Sequence, residues 1–347
     1  MTETDVYAKI CERLWVPPQA KHIPLILERL LTPQEGEMLL SLPATVSQFA
    51  EKYGIAEAAA EAQLELFAKK GVAMSFVKEG EKRYFMVRSL GQFHDAANAG
   101  AFNRLYDPVP PDLLELWERY RETDLFELAA LRDKLPGPRF RVIPLKRAVS
   151  PDIEMLPYED TEAIVKNAPA IAVVNCPCAM YLVSVGRSDK PLEVCLQLSE
   201  GSARYAEEMG VGRRLTLEEG LATLRLAEEH GLIPTVMGGE KLGFICHCDK
   251  MCCSNIRHVA STGYFLIEKS RFQSTVKPEL CTGCGLCVQH CAFEAIEMKD
   301  DVAVVNPEKC YGCGVCVLQC PVAGAIVLDL VRPKEHIPLI EMKHSQV

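Results

Sequence analysis

Sixteen cysteines stand in this chain of 347 residues, and half of them fall into two copies of one spacing. The first copy is Cys281-x2-Cys284-x2-Cys287-x3-Cys291. The second is Cys310-x2-Cys313-x2-Cys316-x3-Cys320, followed at once by Pro321. Soft thiolates in sets of four suit either zinc or iron–sulfur clusters. Zinc sites pair two C-x2-C knuckles across a longer loop. Here three cysteines come in close succession and a fourth follows after three residues, the run that holds iron–sulfur cubes in pairs and sends its fourth thiolate to the neighbouring cube. The chemistry to expect is one-electron transfer.

Such a run needs a tightly wound loop, and Gly283, Gly285, Gly312 and Gly314 supply it, since glycine adopts positive φ without strain and lets backbone N–H groups aim at cluster sulfurs. Behind each run stands Ala-Ile (Ala295-Ile296 and Ala325-Ile326), opening a short strand. Ile296 to Met298 and Val302 to Val305 flank Lys-Asp-Asp and read as a hairpin that shields the cubes from water. With its internal repeat, the segment 274–331 resembles a bacterial-type 2[4Fe-4S] ferredoxin domain. The resemblance implies two [4Fe-4S] clusters, one held by Cys281, Cys284, Cys287 and Cys320, the other by Cys310, Cys313, Cys316 and Cys291. Ala292 stands where the first run of that family usually has proline; no ligand is lost by it.

Seven further cysteines lie between Pro138 and the first run: Cys176-Pro-Cys178, Cys195, Cys246-His-Cys248 and Cys252-Cys253. Cys176 follows the apolar stretch Ile171 to Val174, and Cys246 follows Leu242-Gly-Phe-Ile245, so two strand ends are positioned to present C-x-C pairs. A third metal site built from a subset of the seven is expected, an iron–sulfur cluster by preference, with a four-cysteine zinc site as its rival. Plain buried thiols are the third reading. His247 between Cys246 and Cys248 is either an iron ligand or, as alternation along a strand favours, a residue facing away from them.

Composition sets the frame. The formal charge of −9 opposes nonspecific attraction to nucleic acid or an anionic membrane and favours a basic redox partner. No apolar run reaches the roughly 18 residues of a membrane span, and Met-Thr-Glu-Thr-Asp has neither the basic start nor the apolar stretch of a signal peptide. A cytoplasmic, reducing location is expected, with cysteines used for metal and not for disulfides. Oxygen strips exposed clusters, so an anaerobic host is expected too.

The fold class expected is α+β, in five segments: 1–92 winged-helix-like, 93–138 a helical connector, 139–273 a cysteine-rich middle domain of α/β type, 274–331 the ferredoxin domain and 332–347 a tail. In the first segment, Thr32-Pro-Gln-Glu35 caps one helix, Thr45 opens another, Ala56 to Lys70 forms a third, and Val72 to Val77 with Arg83 to Val87 makes a hairpin. Glu57, Glu61 and Glu65 put an acidic stripe on the helix that would meet phosphates, so a structural or protein-docking role is favoured over DNA reading. Asp112 is expected to cap the connector's second helix, and Pro136-Gly137-Pro138 to link it onward. In the middle segment Thr216 and Glu219 form a capping box for a helix running to Glu229.

The order of a winged-helix-like start, Leu156-Pro-Tyr-Glu-Asp160, Cys176-x-Cys178, Lys190-Pro-Leu-Glu-Val-Cys195, Phe244-Ile-Cys246-x-Cys248 and a terminal ferredoxin is similar to a family of multi-cluster ferredoxin-type proteins of strict anaerobes. Members usually carry a basic residue after the first C-x-C and a denser second cysteine run; Ala179, Asp249 and Met251 depart from that. The resemblance implies electron transfer without fixing a substrate. No G-x-G-x-x-G, P-loop, H-E-x-x-H or C-x-x-C-H is present, so no flavin, nicotinamide or c-type haem site is recognisable. The expected role is a relay that passes single electrons to redox partner proteins, such as a larger oxidoreductase complex, more than an enzyme with a substrate of its own. The alternatives are a small-molecule reductase acting at the middle site and a redox-sensing regulator.

Overall fold

The structure is a computed structural model that describes residues 3–100, 110–125, 140–238, 242–257, 259 and 267–337. The expected linker at Pro136-Gly137-Pro138 and the end of the tail lie outside the described residues. Helices and strands are mixed, in two compact units: residues 1–130, 175–187 and 204–213 form one, and 131–174, 188–203 and 214–347 the other. The middle segment 139–273 is thus divided between the units, and the ferredoxin segment shares the second with most of it.

In the first unit, helices Glu3–Arg13, His22–Leu30, Pro33–Leu40, Val46–Tyr53 and Glu57–Lys69 surround a small sheet. Its strands Ala44–Thr45, Glu81–Met86 and Ala73–Lys78 lie in that order. The helix starts follow from side-chain chemistry. Thr32 with Glu35 and Thr45 with Gln48 each make a reciprocal capping box, filling backbone donors that a helix start leaves open. Gly54 ends the fourth helix in the left-handed region at φ 62°. Ile23, Ile26, Leu27, Phe49, Leu64, Phe67, Tyr84, Phe93 and Trp117 fill the core, each fully buried aliphatic or phenylalanine side chain contributing about 1.5–3 kcal/mol.

Two expectations for this unit meet the side chains directly. Glu57 and Glu61 are exposed, and Glu65 reaches Lys82 at 3.7 Å. Lys70, at the end of the same helix, pairs with Glu35 at 2.6 Å. Asp112 is not a cap: the helix Pro111–Glu122 has Pro110 at its N-cap position, with no side-chain cap bond. Proline at the first helical position lacks the donor that a cap would satisfy, and Asp112 instead pairs with Arg29.

The second unit is organised by a sheet in which strands Ile267–Glu268, Phe140–Val142, Ile233–Met237, Phe244–Cys248, Glu193–Gln197 and Ala172–Asn175 lie side by side in that order. Its two faces bury different cores. Leu196, opposite Ile245, packs with Val173, Val236, Ile164 and Leu224 on one face. Ile233, opposite Cys248, packs on the other with Val142, Cys253, Phe293, Cys310 and Tyr311. The helix Leu217–Glu229 begins with the Thr216–Glu219 capping box and is followed by Gly231 at φ 64°.

Leu156-Pro-Tyr-Glu-Asp160 is a bracket. Asp160 caps the helix Thr161–Lys166 by accepting from the Glu162 and Ala163 amides, and binds Lys146 at 2.6 Å. Tyr158 accepts a bond from Arg141 through its carbonyl at 2.6 Å. The buried Glu159 carboxylate takes both arms of Arg271, at 2.9 and 2.6 Å. Arg271 leads into the strand Phe272–Val276, which pairs antiparallel with Ile326–Leu330. The ferredoxin segment is therefore held to the sheet by a buried bidentate ion pair, the strong form of such contacts.

Candidate iron–sulfur centres

Residues of the C-terminal segment repeat their backbone as well as their cysteines. Gly285 and Gly314, at φ 72° and 83°, each precede a short helix, Leu286–His290 and Val315–Leu318. The hairpin Ile296–Lys299 with Val302–Val305 forms as expected, in register from Ile296 opposite Val305 to Lys299 opposite Val302. At Gly312 (φ 68°) a β-carbon would stand 2.0 Å from the Phe272 carbonyl oxygen, so only glycine fits.

Two groups of four sulfurs result. Cys281, Cys284, Cys287 and Cys320 line one cavity, together with Val276, Ala303 and Ile326. In the other, burial pushes the Cys313 thiol well up, and the neighbouring Cys316, Cys291 and Cys310 push it further. Burial likewise carries Cys316 up to about 12, with Cys310, Cys291 and Cys287 adding to it and the Ser274 hydroxyl opposing. So the fourth cysteine of each run lies with the first three of the other, and Cys287 is close enough to Cys316 for the two groups to sense each other.

This arrangement fits cubes. Buried thiols hold their protons until a cation displaces them, so metal entry releases protons and converts buried acids into ligands. Amide and hydroxyl donors already face the sulfurs: Ala303 N–H to Cys281 at 3.5 Å, Ala295 N–H to Cys291 at 3.3 Å, Ser274 N–H to Cys310 at 3.5 Å, and the Ser274 hydroxyl beside Cys316 at 3.1 Å. Hydrogen bonds to sulfur and solvent exposure set cluster potential. Cys284 is exposed whereas Cys310 and Cys316 are buried, so one group opens to solvent and the other faces the protein's interior. Ser274 carries two of these contacts, and nothing in the sequence singled it out.

The upstream cysteines divide. Cys176 and Cys178 belong to the first unit, where buried Arg121, paired with Glu118, donates to the Cys178 carbonyl. In the second unit, the register that sets Leu196 opposite Ile245, carried on by one residue, sets Cys195 opposite Cys246, on the same face as Cys248. Cys248 and Cys253 touch, sulfur to sulfur, at 2.9 Å. Cys252 lies 3.5 Å from the Ser188 hydroxyl. His247 points to the opposite face from Cys246 and Cys248, its Nδ1–H donating to the Val194 carbonyl at 2.6 Å, and burial drives its pKa down to about 4. Among the described residues, no three Cys, His, Asp or Glu side chains converge tightly enough for a single metal ion. A cube spreads its thiolates over four irons and makes no such demand.

Among the described residues no helix is long and apolar enough to cross a membrane. A family of 4Fe-4S dicluster domains matches residues 274–328. No curated protein and no solved structure matches the chain. The C-terminal segment is thus a ferredoxin-type iron–sulfur domain; the likeness proposed over the rest of the chain gains no support from these comparisons.

Proposed function

We propose that this chain is an electron-transfer protein that passes single electrons between redox partner proteins through two [4Fe-4S] clusters. Cys281, Cys284, Cys287 and Cys320 hold one, and Cys310, Cys313, Cys316 and Cys291 the other. The observation that carries this reading is the exchange of fourth cysteines, Cys320 in the cavity of the first run and Cys291 among the sulfurs of the second. When bound, each cube supplies reversible one-electron transfer, within an accessible range of roughly −700 to +450 mV.

The protein's own residues do the rest. Phe293 and Tyr311, stacked at 4.1 Å, pack in the apolar core that holds Cys310 and exclude water from it. The amides of Ala295, Ala303 and Ser274 offset thiolate charge without moving. The exposed Cys284 side is the exchange face toward a partner, and the buried group continues the route inward. A third iron–sulfur site drawn from Cys176, Cys178, Cys195, Cys246, Cys248, Cys252 and Cys253 extends that route.

The segment boundaries expected from the sequence are retained as functional divisions. In segment 1–92, the helices, capping boxes and three-stranded sheet support a winged-helix-like domain whose exposed Glu57 and Glu61 suit protein docking, to a larger oxidoreductase, and not DNA. The net charge of −9 favours a basic partner. A reducing, cytoplasmic setting in an anaerobe suits the thiol content.

Exchange of ligands between the runs is testable by single substitution in the full chain. Cys320→Ser is expected to alter the paramagnetic resonance of the cube held by Cys281, Cys284 and Cys287, and Cys291→Ser that of the other. If each substitution instead disturbs only the cube of its own run, the assignment is wrong.

A further inference from the structure

Cys248 ends the strand Phe244–Cys248, and Cys253 returns to it through a turn that the sequence builds deliberately. The Asp249 carboxylate accepts from the Met251 and Cys252 amides at 2.7 and 2.6 Å, folding the loop back. The Cys253 thiol then donates to Cys248 at 2.9 Å, inside the roughly 3.5–4.0 Å of ordinary apolar packing. The Thr235 hydroxyl, 3.3 Å from Cys248, and the Asn255 amide, 3.4 Å from Cys253, complete the surroundings. Both cysteines are buried, at 4% and 2% exposure, in the same apolar core as Cys310. No third donor among the described residues joins them around a single ion. Burial keeps bulk oxidants and thiols away from this pair.

We propose that Cys248 and Cys253 are a redox-active dithiol that stores an electron pair for the ferredoxin clusters. The inference rests on the electron-relay reading and deepens it. In the reducing direction the S–S bond breaks, each of two reduced cubes gives one electron and is oxidised by one, and two protons from solvent form two S–H bonds. In reverse, the protons leave, the S–S bond forms and the two electrons return one to each cube. The chain thus converts two single-electron steps into one two-electron step. Lys190, buried and 3.4 Å from the part-exposed Asp249, lies where its charge acts on Cys253. The pair then stands outside the third cluster.

The test uses the anaerobic full-length holoprotein, poised with redox mediators at a series of potentials, then acid-quenched, alkylated and mapped by peptide mass. Tryptic cleavage at Lys250 separates the two cysteines, so a bond between them links two peptides. The expected result is a linked, unalkylated Cys248–Cys253 at oxidising poise and two alkylated thiols at reducing poise, with a two-electron Nernst slope. Independent alkylation at every poise overturns the proposal. Cys253→Ser is expected to take up two electrons fewer per chain in reductive titration; loss of one cube's iron makes Cys253 a cluster ligand and overturns the proposal equally. Should that variant fail to fold, the wild-type map decides alone. Cube resonances recorded on the same samples separate the two claims, because their absence sinks the relay itself, while their presence beside unpaired thiols sinks only the dithiol.

Discussion

Gly312 and Gly285 share a backbone conformation and differ in the space around them, which allows the loop geometry to be tested by magnitude. Both lie at positive φ, 68° and 72°, where a β-carbon costs about 1–2 kcal/mol. At Gly285 nothing lies within 4 Å of the position a methyl would take. At Gly312 the methyl would meet the Phe272 carbonyl oxygen at 2.0 Å and the Ser270 hydroxyl at 2.3 Å. Neither can withdraw freely: Arg332 donates to the Phe272 carbonyl at 2.8 Å, and the Ser270 hydroxyl donates to the Gly312 carbonyl at 2.8 Å. Overpacking of this kind adds about 1–3 kcal/mol, so Gly312→Ala is expected to cost about 2–5 kcal/mol in total. That strain falls on the loop between Cys310 and Cys316. Gly285→Ala should keep full iron and bleach slightly earlier on heating, whereas Gly312→Ala should lose the cube of Cys310, Cys313, Cys316 and Cys291, about half the ferredoxin iron. Iron analysis and visible absorption of the anaerobic protein read this. Equal iron and equal thermal bleaching in the two variants would refute the loop argument.

Three other outcomes follow from single contacts. Ser274→Ala removes the hydroxyl beside Cys316, a bond that contributes about 1 kcal/mol; the cube there should become about 40 mV harder to reduce in a potentiometric titration, and an unmoved potential counts against that role. Glu159→Gln leaves buried Arg271 without its countercharge and should destabilise the attachment of the ferredoxin segment by about 3–5 kcal/mol, read as faster amide exchange in the strand Phe272–Val276; unchanged exchange contradicts it. Burial raises the Glu35 carboxyl, but the Lys70 bond and charge and the Thr32 amide hold it below its ordinary value. Its stabilising effect is therefore complete above the unfolded pKa and lost as pH falls through the lower, folded one. Lys70→Met should cost about 1 kcal/mol at neutral pH, visible as exchange in the helix Pro33–Leu40, with the gap to wild type closing below about pH 4; a gap constant with pH rules the pairing out as its source.

What the sequence showed and what it hid divide along a physical line. Local chemistry was readable: the two cysteine runs, the capping boxes at Thr32–Glu35 and Thr216–Glu219, and the hairpin around Lys299-Asp-Asp all depend on residues within a few positions of one another. Asp112 misled because the sequence offers Asp and Pro together at a helix start, and proline at the first helical position fixes the frame two residues earlier than a capping aspartate needs. Long-range pairings were invisible. Glu159 and Arg271 stand 112 residues apart, and Arg121 reaches the Cys178 carbonyl across 57; nothing near either residue marks its partner. The contact of Cys248 with Cys253 lies between, since both were singled out as thiols, while the Asp249 turn that joins them was noted only as a departure from a familiar pattern.

The central claim is that the C-terminal segment carries two closely spaced one-electron centres. Quantitative paramagnetic resonance of the anaerobic, fully reduced holoprotein tests it most directly. The account predicts at least two spins per chain, with signals broadened by mutual interaction, in line with two groups of sulfurs that meet at Cys287 and Cys316. A single isolated spin, or a reduced protein with no signal and no iron, would contradict it.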